Sequence, residues 1–191
     1  MHTQDLAPLS GHPDTIHVRS SRDGDIGAIT SIYGHHVLHG TGSFENEAPD
    51  TEEMYRRRAD VLNRGLPYLV AEDSNGIVLG YAYAGAYRPR AAYRNTVENS
   101  VYVRHDVVGR GIGRLLLAEL LIRCEAVGVR QMVAVVGDSE NQGSVRLHQA
   151  FGFRMNGTLS SVGGKHGGWL DTVLLQRSLA KGDSKDPHGG V

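Results

Sequence analysis

The stretch from Thr96 to Gly128 constrains this chain more than any other. It reads TVENSVYV, then RHDVVGRGIG, then RLLLAELLIRCEAVG. Thr96 to Val103 alternates in the period-two pattern of a half-buried strand. From about Arg114 to Val127 the apolar residues recur at helical spacing, and Gly128 suits the helix end. Between them lies Gly109-Arg110-Gly111-Ile112-Gly113. A strand, a glycine loop and an amphipathic helix in that order call for an α/β layer, since the apolar stripe must lie back across a sheet. Consecutive main-chain N–H groups at a helix start cradle anions, and glycines let a phosphate come close. Two phosphate motifs are excluded. Gly113-Arg114-Leu115 is not the Gly-Lys-Ser/Thr of a P-loop, and the last glycine comes one residue too early for G-x-G-x-x-G. Taken by itself, the loop is also compatible with a plain helix-starting turn.

The flanking pattern extends the α/β reading. Ile16 to Ser20 is a short alternating strand, with Asp23 as N-cap of a helix from about Asp25 to Leu38. Thr51 is expected to cap a second helix, closed by Gly65 and Pro67. Leu69 to Glu72 and Ile77 to Tyr87 are strands joined by Asn75-Gly76, a strong hairpin signal. After the central unit come a buried strand (Gln131 to Val136), a helix (Asn141 to Phe151) and two more strands, near Arg154 to Val162 and Leu170 to Arg177. The order is β-α-α-β-β-β-α-β-α-β-β, a mixed sheet with helices on both faces.

Composition narrows the class. With 191 residues, 40% hydrophobic and 21% charged, the chain is one domain with a real core. Twenty basic against 21 acidic residues, net charge -1, give no reason to expect a nucleic acid or an anionic membrane as partner. The single cysteine, Cys124, excludes an internal disulfide framework and a cysteine-built zinc site, and among Leu120, Leu121 and Val127 it reads as a core residue. No signal-peptide pattern opens the chain, and the apolar run Leu115 to Ile122, broken by Glu119, is too short for a bilayer. A cytoplasmic protein is the expectation. Residues 1–14 read as a flexible arm, 15–179 as the domain and 180–191 as a disordered tail.

In this context the loop resembles the pyrophosphate loop of the GNAT superfamily of N-acetyltransferases. Asn141-x-x-Ser144-x-x-x-His148-x-x-x-Gly152-Phe153 is similar to that superfamily's coenzyme-lining helix. Val108 departs from the usual Gln or Arg, which removes one side-chain contact from a mainly main-chain cradle. Between Tyr81 and Asp171 the segments TVENSVYV, VAVVGDSENQGSVRLHQAFGF and GGKHGGWLD resemble the branch that acetylates phosphinothricin, methionine sulfoximine and methionine sulfone, as does Ser43 to Pro49 upstream. The resemblance implies a mostly antiparallel sheet of six or seven strands with a splayed central pair. It implies acetyl-coenzyme A as co-substrate, no metal, a small amino acid analogue as acceptor, and a homodimer.

The chemistry needs a base, because an ammonium must lose a proton before it can attack a thioester. Glu98 stands mid-strand, facing with Ser100 and away from Val97, Asn99 and Val101, and the resemblance places the base there. It also implies that the amides of Val101, Tyr102 and Val103 hold the acetyl carbonyl and the pantetheine arm. Gly109, Arg110, Gly111, Ile112, Gly113, Arg114 and Asn141 would hold the rest of the coenzyme. His148 occupies the place of a superfamily tyrosine that protonates the leaving thiolate. An imidazole suits an acid or a relay, and equally a helix histidine bonded to a carbonyl. Phe44, Arg88, Arg90, Tyr93, Lys165 and His166 would surround the substrate. An arginine fork suits a carboxylate or phosphinate, and Arg88-Pro89-Arg90 is closer to the Lys-x-Arg of the phosphinothricin branch than to the Arg-x-Phe of the sulfoximine branch. Transfer to another small amine such as a polyamine, or coenzyme binding without turnover, are the rivals. The arginines argue against the first and Glu98 against the second. His35 and His39 share a helix face but lack a third ligand, and Arg56-Arg57-Arg58 reads as a solvated face.

Overall fold

The computed structural model describes residues 15–180 together with Gly182 and Ser184, so the expected arm and most of the expected tail lie outside the described residues. Strand β1 (His17–Ser20) precedes helices α1 (Ile26–His39) and α2 (Thr51–Asn63). Strands β2 (Tyr68–Glu72), β3 (Val78–Ala86) and β4 (Thr96–Val103) follow. Helix α3 (Ile112–Ala126), strand β5 (Gln131–Gly137), helix α4 (Gln142–Ala150) and the hairpin β6 (Arg154–Lys165) and β7 (Gly168–Ser178) complete the order, which is the expected one.

The helix starts differ from expectation. Asp50, not Thr51, caps α2, its carboxylate accepting from the Glu53 N–H at 2.8 Å. Asp23 opens a short 3-10 turn, and α1 begins at Ile26. Asp25 at its entrance is taken by the Arg19 guanidinium at 2.7 Å and the Arg22 N–H at 2.6 Å. The arginine run is not a uniformly solvated face either. Arg58 is buried, donating to the Ser21 hydroxyl at 2.7 Å and carbonyl at 2.8 Å and pairing with Asp23, which ties α2 to the end of β1. A buried guanidinium needs such acceptors to offset its lost hydration.

The sheet order is β1-β2-β3-β4-β5-β7-β6, and every neighbouring pair is antiparallel except β4 with β5. Helix α3 buries Leu116, Leu117, Leu120, Leu121 and Cys124 against one sheet face, beside Leu69, Ala82, Met132 and Leu175. Each large aliphatic side chain so buried contributes about 1.5–3 kcal/mol. Burial pushes the Cys124 thiol up to about 12, as befits a core residue. Helices α1 and α2 cover the other face with Ile29, Ile32, Val37, Met54 and Val61 over Val70 and Tyr81. Among the described residues no helix is long and apolar enough to cross a membrane.

One feature of the sheet positions the candidate site. The parallel pair β4–β5 runs only from Thr96–Gln131 to Asn99–Ala134. Past that point β4 stays with β3 as far as Val103–Gly80, and β5 stays with β7 as far as Gly137–Thr172. The two central strands therefore part halfway along their length.

Candidate active site

Strand alternation decides which main-chain groups the parting exposes. Arg104 N–H donates to the Leu79 carbonyl at 2.8 Å, so the even-numbered residues of β4 exchange hydrogen bonds with β3. The odd-numbered ones face β5, as Asn95 does in accepting from Arg130 at 2.9 Å and Gln131 at 3.1 Å. Beyond Asn99 no β5 residue pairs with them, so the N–H groups of Val101 and Val103 open onto the gap. The Tyr102 amide, expected with them, is turned toward Tyr81 instead. A cavity of about 560 Å³ occupies the gap, walled by β4, β5, the start of α3 and α4.

The glycine loop closes one end of this cavity. Gly109 and Gly111 have φ of 88° and 81°, the left-handed region that side chains disfavour, and Gly111 directly precedes α3. A Cβ at either would meet nothing within 4 Å, so the loop's outer face is open to a ligand. Arg114 and Leu115 N–H groups return to the Gly111 carbonyl at 3.0 and 3.2 Å, leaving the first N–H groups of α3 for an anion. Arg114 lies 5.3 Å from the Phe151 ring centroid and lines the cavity, whereas Arg110 is exposed on the loop outside the lining. Arg146, from α4, also lines it. Asn141 caps α4, accepting from the Ser144 N–H at 3.3 Å, and stands in the same wall. Three kinds of group fit a pyrophosphate-bearing, extended ligand here: free helix-start amides, flanking guanidiniums and unpaired strand amides.

His36, Asn99, Gly42 and Arg146 line the cavity without having been expected there. Arg146 sits between Ser144 and His148 on a helix already assigned to the coenzyme, so spacing alone offered a signal. For His36 no local pattern did. His148 is buried, with Nδ1 at 2.8 Å from the Ser144 carbonyl and Nε2 at 2.9 Å from Asn99 Oδ1. Burial pushes its proton affinity down, and the Ser144 carbonyl partly restores it.

Glu98 precedes Asn99, the last residue of β4 paired with β5, and lies outside the cavity lining. It lies half-buried on the face covered by α1 and α2, with Tyr83 and Ser100, which hydrogen bond to each other. Burial raises the carboxyl above its ordinary value, and the Arg88 charge partly opposes this. A carboxyl so raised is a better proton acceptor near neutral pH than an exposed one.

The six expected substrate residues fall into two groups. Arg88, Arg90 and Tyr93 belong to the connection before β4, where Arg88 lies 5.0 Å from the Tyr87 ring and Tyr93 5.8 Å from it. Phe44, Lys165 and His166 gather where the α1–α2 loop meets the β6–β7 hairpin. The Phe44 ring fills the space over Gly137 and Gly163. Lys165 is buried and donates to the Ser43 carbonyl at 2.5 Å, and His166 Nε2 lies 3.3 Å from the Gly40 carbonyl. Glu45 next to them takes Tyr33 at 2.7 Å and Arg57 at 2.6 Å, which fixes the loop. His35, His39 and His105 pack face to face or tilted rather than converging on a point, and no metal-holding group of three occurs among the described residues.

Residues 29–153 match the acetyltransferase (GNAT) family. The chain is 56% identical over 171 residues to phosphinothricin N-acetyltransferase of Alcaligenes faecalis, covering 90% of this chain and 86% of that protein. It is 40% identical over 166 residues to L-methionine sulfoximine/L-methionine sulfone acetyltransferase of Pseudomonas paraeruginosa, covering 85% and 94%. Among solved structures, a GNAT superfamily phosphinothricin acetyltransferase from Sinorhizobium meliloti, in complex with acetyl-coenzyme A, superposes with a TM-score of 0.89 at 44% identity, over 93% of this chain and 95% of that one.

Proposed function

The chain belongs to the GNAT acetyltransferase family, and from that premise we propose that it moves acetyl from acetyl-coenzyme A to the α-amino group of a small amino acid analogue of the phosphinothricin or methionine sulfoximine and sulfone kind. The observation that carries this reading is the parting of β4 from β5 beside Glu98. It leaves two unpaired amides and a glycine-lined helix start along one cavity, with a raised carboxyl on β4 next to the last paired residue.

In this reading the coenzyme's pyrophosphate lies on the loop Gly109 to Gly113, with Arg114 and Arg146 beside it. The pantetheine arm runs along Val101 and Val103, whose N–H groups bond its amides and polarise the thioester carbonyl. Glu98 takes a proton from the incoming ammonium, directly or through one water. The amine nitrogen then bonds to the acetyl carbon as the carbon–sulfur bond breaks, and His148 serves the thiolate as acid or relay. Arg88 attracts the anionic group of the acceptor, and Lys165 and Phe44 hold the α1–α2 loop against the β6–β7 hairpin beside it. The working unit is a homodimer, which light scattering on the purified chain checks, and its place is the cytoplasm, which cell fractionation checks.

Release of free thiol from acetyl-coenzyme A is the test, with phosphinothricin, methionine sulfone and spermidine as acceptors. Turnover with phosphinothricin or methionine sulfone is expected. Turnover with spermidine alone overturns the substrate class, and coenzyme binding by calorimetry without any turnover overturns the enzymatic reading.

A further inference from the structure

Asn99 and His148 form a buried pair whose hydrogen bonds do not close in the ordinary way. Asn99 is 6% exposed and His148 4%. Asn99 Nδ2 lies 3.3 Å from the Val133 carbonyl, Asn99 Oδ1 lies 2.9 Å from His148 Nε2, and His148 Nδ1 lies 2.8 Å from the Ser144 carbonyl. Both terminal carbonyls only accept. A neutral imidazole has one N–H, so one of the three contacts must then set acceptor against acceptor, whichever way the carboxamide is turned. An imidazolium has two N–H groups, and all three contacts become attractive.

We propose that Asn99 is a positioning residue that acts through His148, stabilising the imidazole with a proton on each nitrogen at the wall of the cavity. The idea rests on the acetyl-transfer reading above. During transfer the nitrogen of the acceptor ammonium gives up two protons, the sulfur takes one, and one is released. His148 gives its Nε2 proton to the sulfur, the N–H leaving Asn99 Oδ1 to do so. The lone pair left behind then faces Asn99 Oδ1, or the turned carboxamide sets Oδ1 against the Val133 carbonyl, so either way the neutral ring is disfavoured and its reprotonation favoured. The proton lost from the nitrogen after attack then restores the imidazolium. Asn99 thus opposes the burial that pushes His148 toward the neutral form, in the same direction as the Ser144 carbonyl. The Phe153 ring stands edge-on to the imidazole at 5.0 Å. Of the charged residues nearby, Arg146 on α4 and Arg114 on α3 line the same cavity as His148, Glu98 faces the other side of β4, and β5 has none.

The test follows the His148 ring in the full chain labelled with ¹⁵N-histidine, its signal assigned by loss in His148→Gln. In Asn99→Ala the titration midpoint is expected to fall by about one pH unit, the size of a lost hydrogen bond to a charged group. In Asn99→Asp, which keeps the side-chain shape, it is expected to rise. With the preferred acceptor, Asn99→Ala should lower kcat about tenfold with both KM values within twofold, and should cost nothing further in a His148→Gln background. An unchanged midpoint in both variants overturns the proposal, as does an equal kcat cost with and without His148. A midpoint that moves while kcat stays at the wild-type level overturns the use of His148 in the chemistry and not its coupling to Asn99. The titration remains decisive even if none of the tested amines is acetylated.

Discussion

His36 Nε2 lies 2.8 Å from the carbonyl oxygen of Val103, joining α1 to the free edge of β4. The carbonyl only accepts, so the ring donates from Nε2. Without this donor the last carbonyl of β4, half-buried at the cavity wall, would lose its partner once β5 has turned away, at a cost toward the low end of the about 1–3 kcal/mol of an orphaned acceptor.

His36→Leu should therefore loosen the end of β4 next to the glycine loop. The expected result is a rise of several-fold in the KM for acetyl-coenzyme A, a kcat within about twofold, and a stability loss of about 1–2 kcal/mol. Steady-state kinetics and thermal unfolding check both parts. An unchanged KM with the stability loss would confine His36 to the fold.

Glu98→Gln removes the proton acceptor and should lower kcat by about a hundredfold near neutral pH. The deficit should shrink as pH rises and the acceptor amine loses its proton unaided. In the wild type, kcat should climb with pH through a value above the ordinary carboxylate range, since burial raises this carboxyl. Stability runs the opposite way. The fold holds the Glu98 proton to higher pH than the unfolded chain does, so this group's stability contribution is full below the ordinary carboxylate value. It is lost as pH rises through the raised one. Glu98→Gln should thus unfold at a higher temperature than wild type at pH 8, an advantage that disappears at pH 4. Paired melting curves decide it.

Gly137 and Gly163 both lie under the Phe44 ring, yet their alanine variants should differ. A Cβ on Gly163 would overlap the ring, which can swing aside. A Cβ on Gly137 would sit 2.6 Å from the Thr41 carbonyl, and main chain cannot yield so easily. Gly163→Ala is expected to raise the acceptor KM with about 1 kcal/mol of destabilisation, and Gly137→Ala to destabilise by about 2–3 kcal/mol. Equal losses would place Phe44 elsewhere.

Gly111→Ala asks the loop for a left-handed alanine, at a cost of about 1–2 kcal/mol. The loop relaxes by turning its amides away from the anion position. The KM for acetyl-coenzyme A should then rise about tenfold or more while the acceptor KM changes little. Calorimetry with coenzyme A alone checks the first half without any acceptor present.

Much of this protein is readable along the chain because its signals are local. Alternation over Thr96 to Val103, glycines at 109, 111 and 113, and the apolar stripe of α3 act between residues a few positions apart. Those interactions survive in any context, so the element order, the glycine loop at the start of α3 and Glu98 as the carboxylate of β4 were accessible. Helix starts were less so, because Asp50 and Thr51 are both competent caps and only the path of the preceding loop selects Asp50.

The tertiary structure alone decided which groups meet. That Val101 and Val103 offer free amides while Tyr102 does not depends on where β4 leaves β5, a property of two strands and not of either sequence. Asn99 reaches His148 across 49 positions, His36 reaches Val103 across 67, and Lys165 reaches Ser43 across 122. A hydrogen bond forms or fails over a few tenths of an ångström. That precision comes from how the helices seat on the sheet, and no pattern of neighbouring residues encodes it.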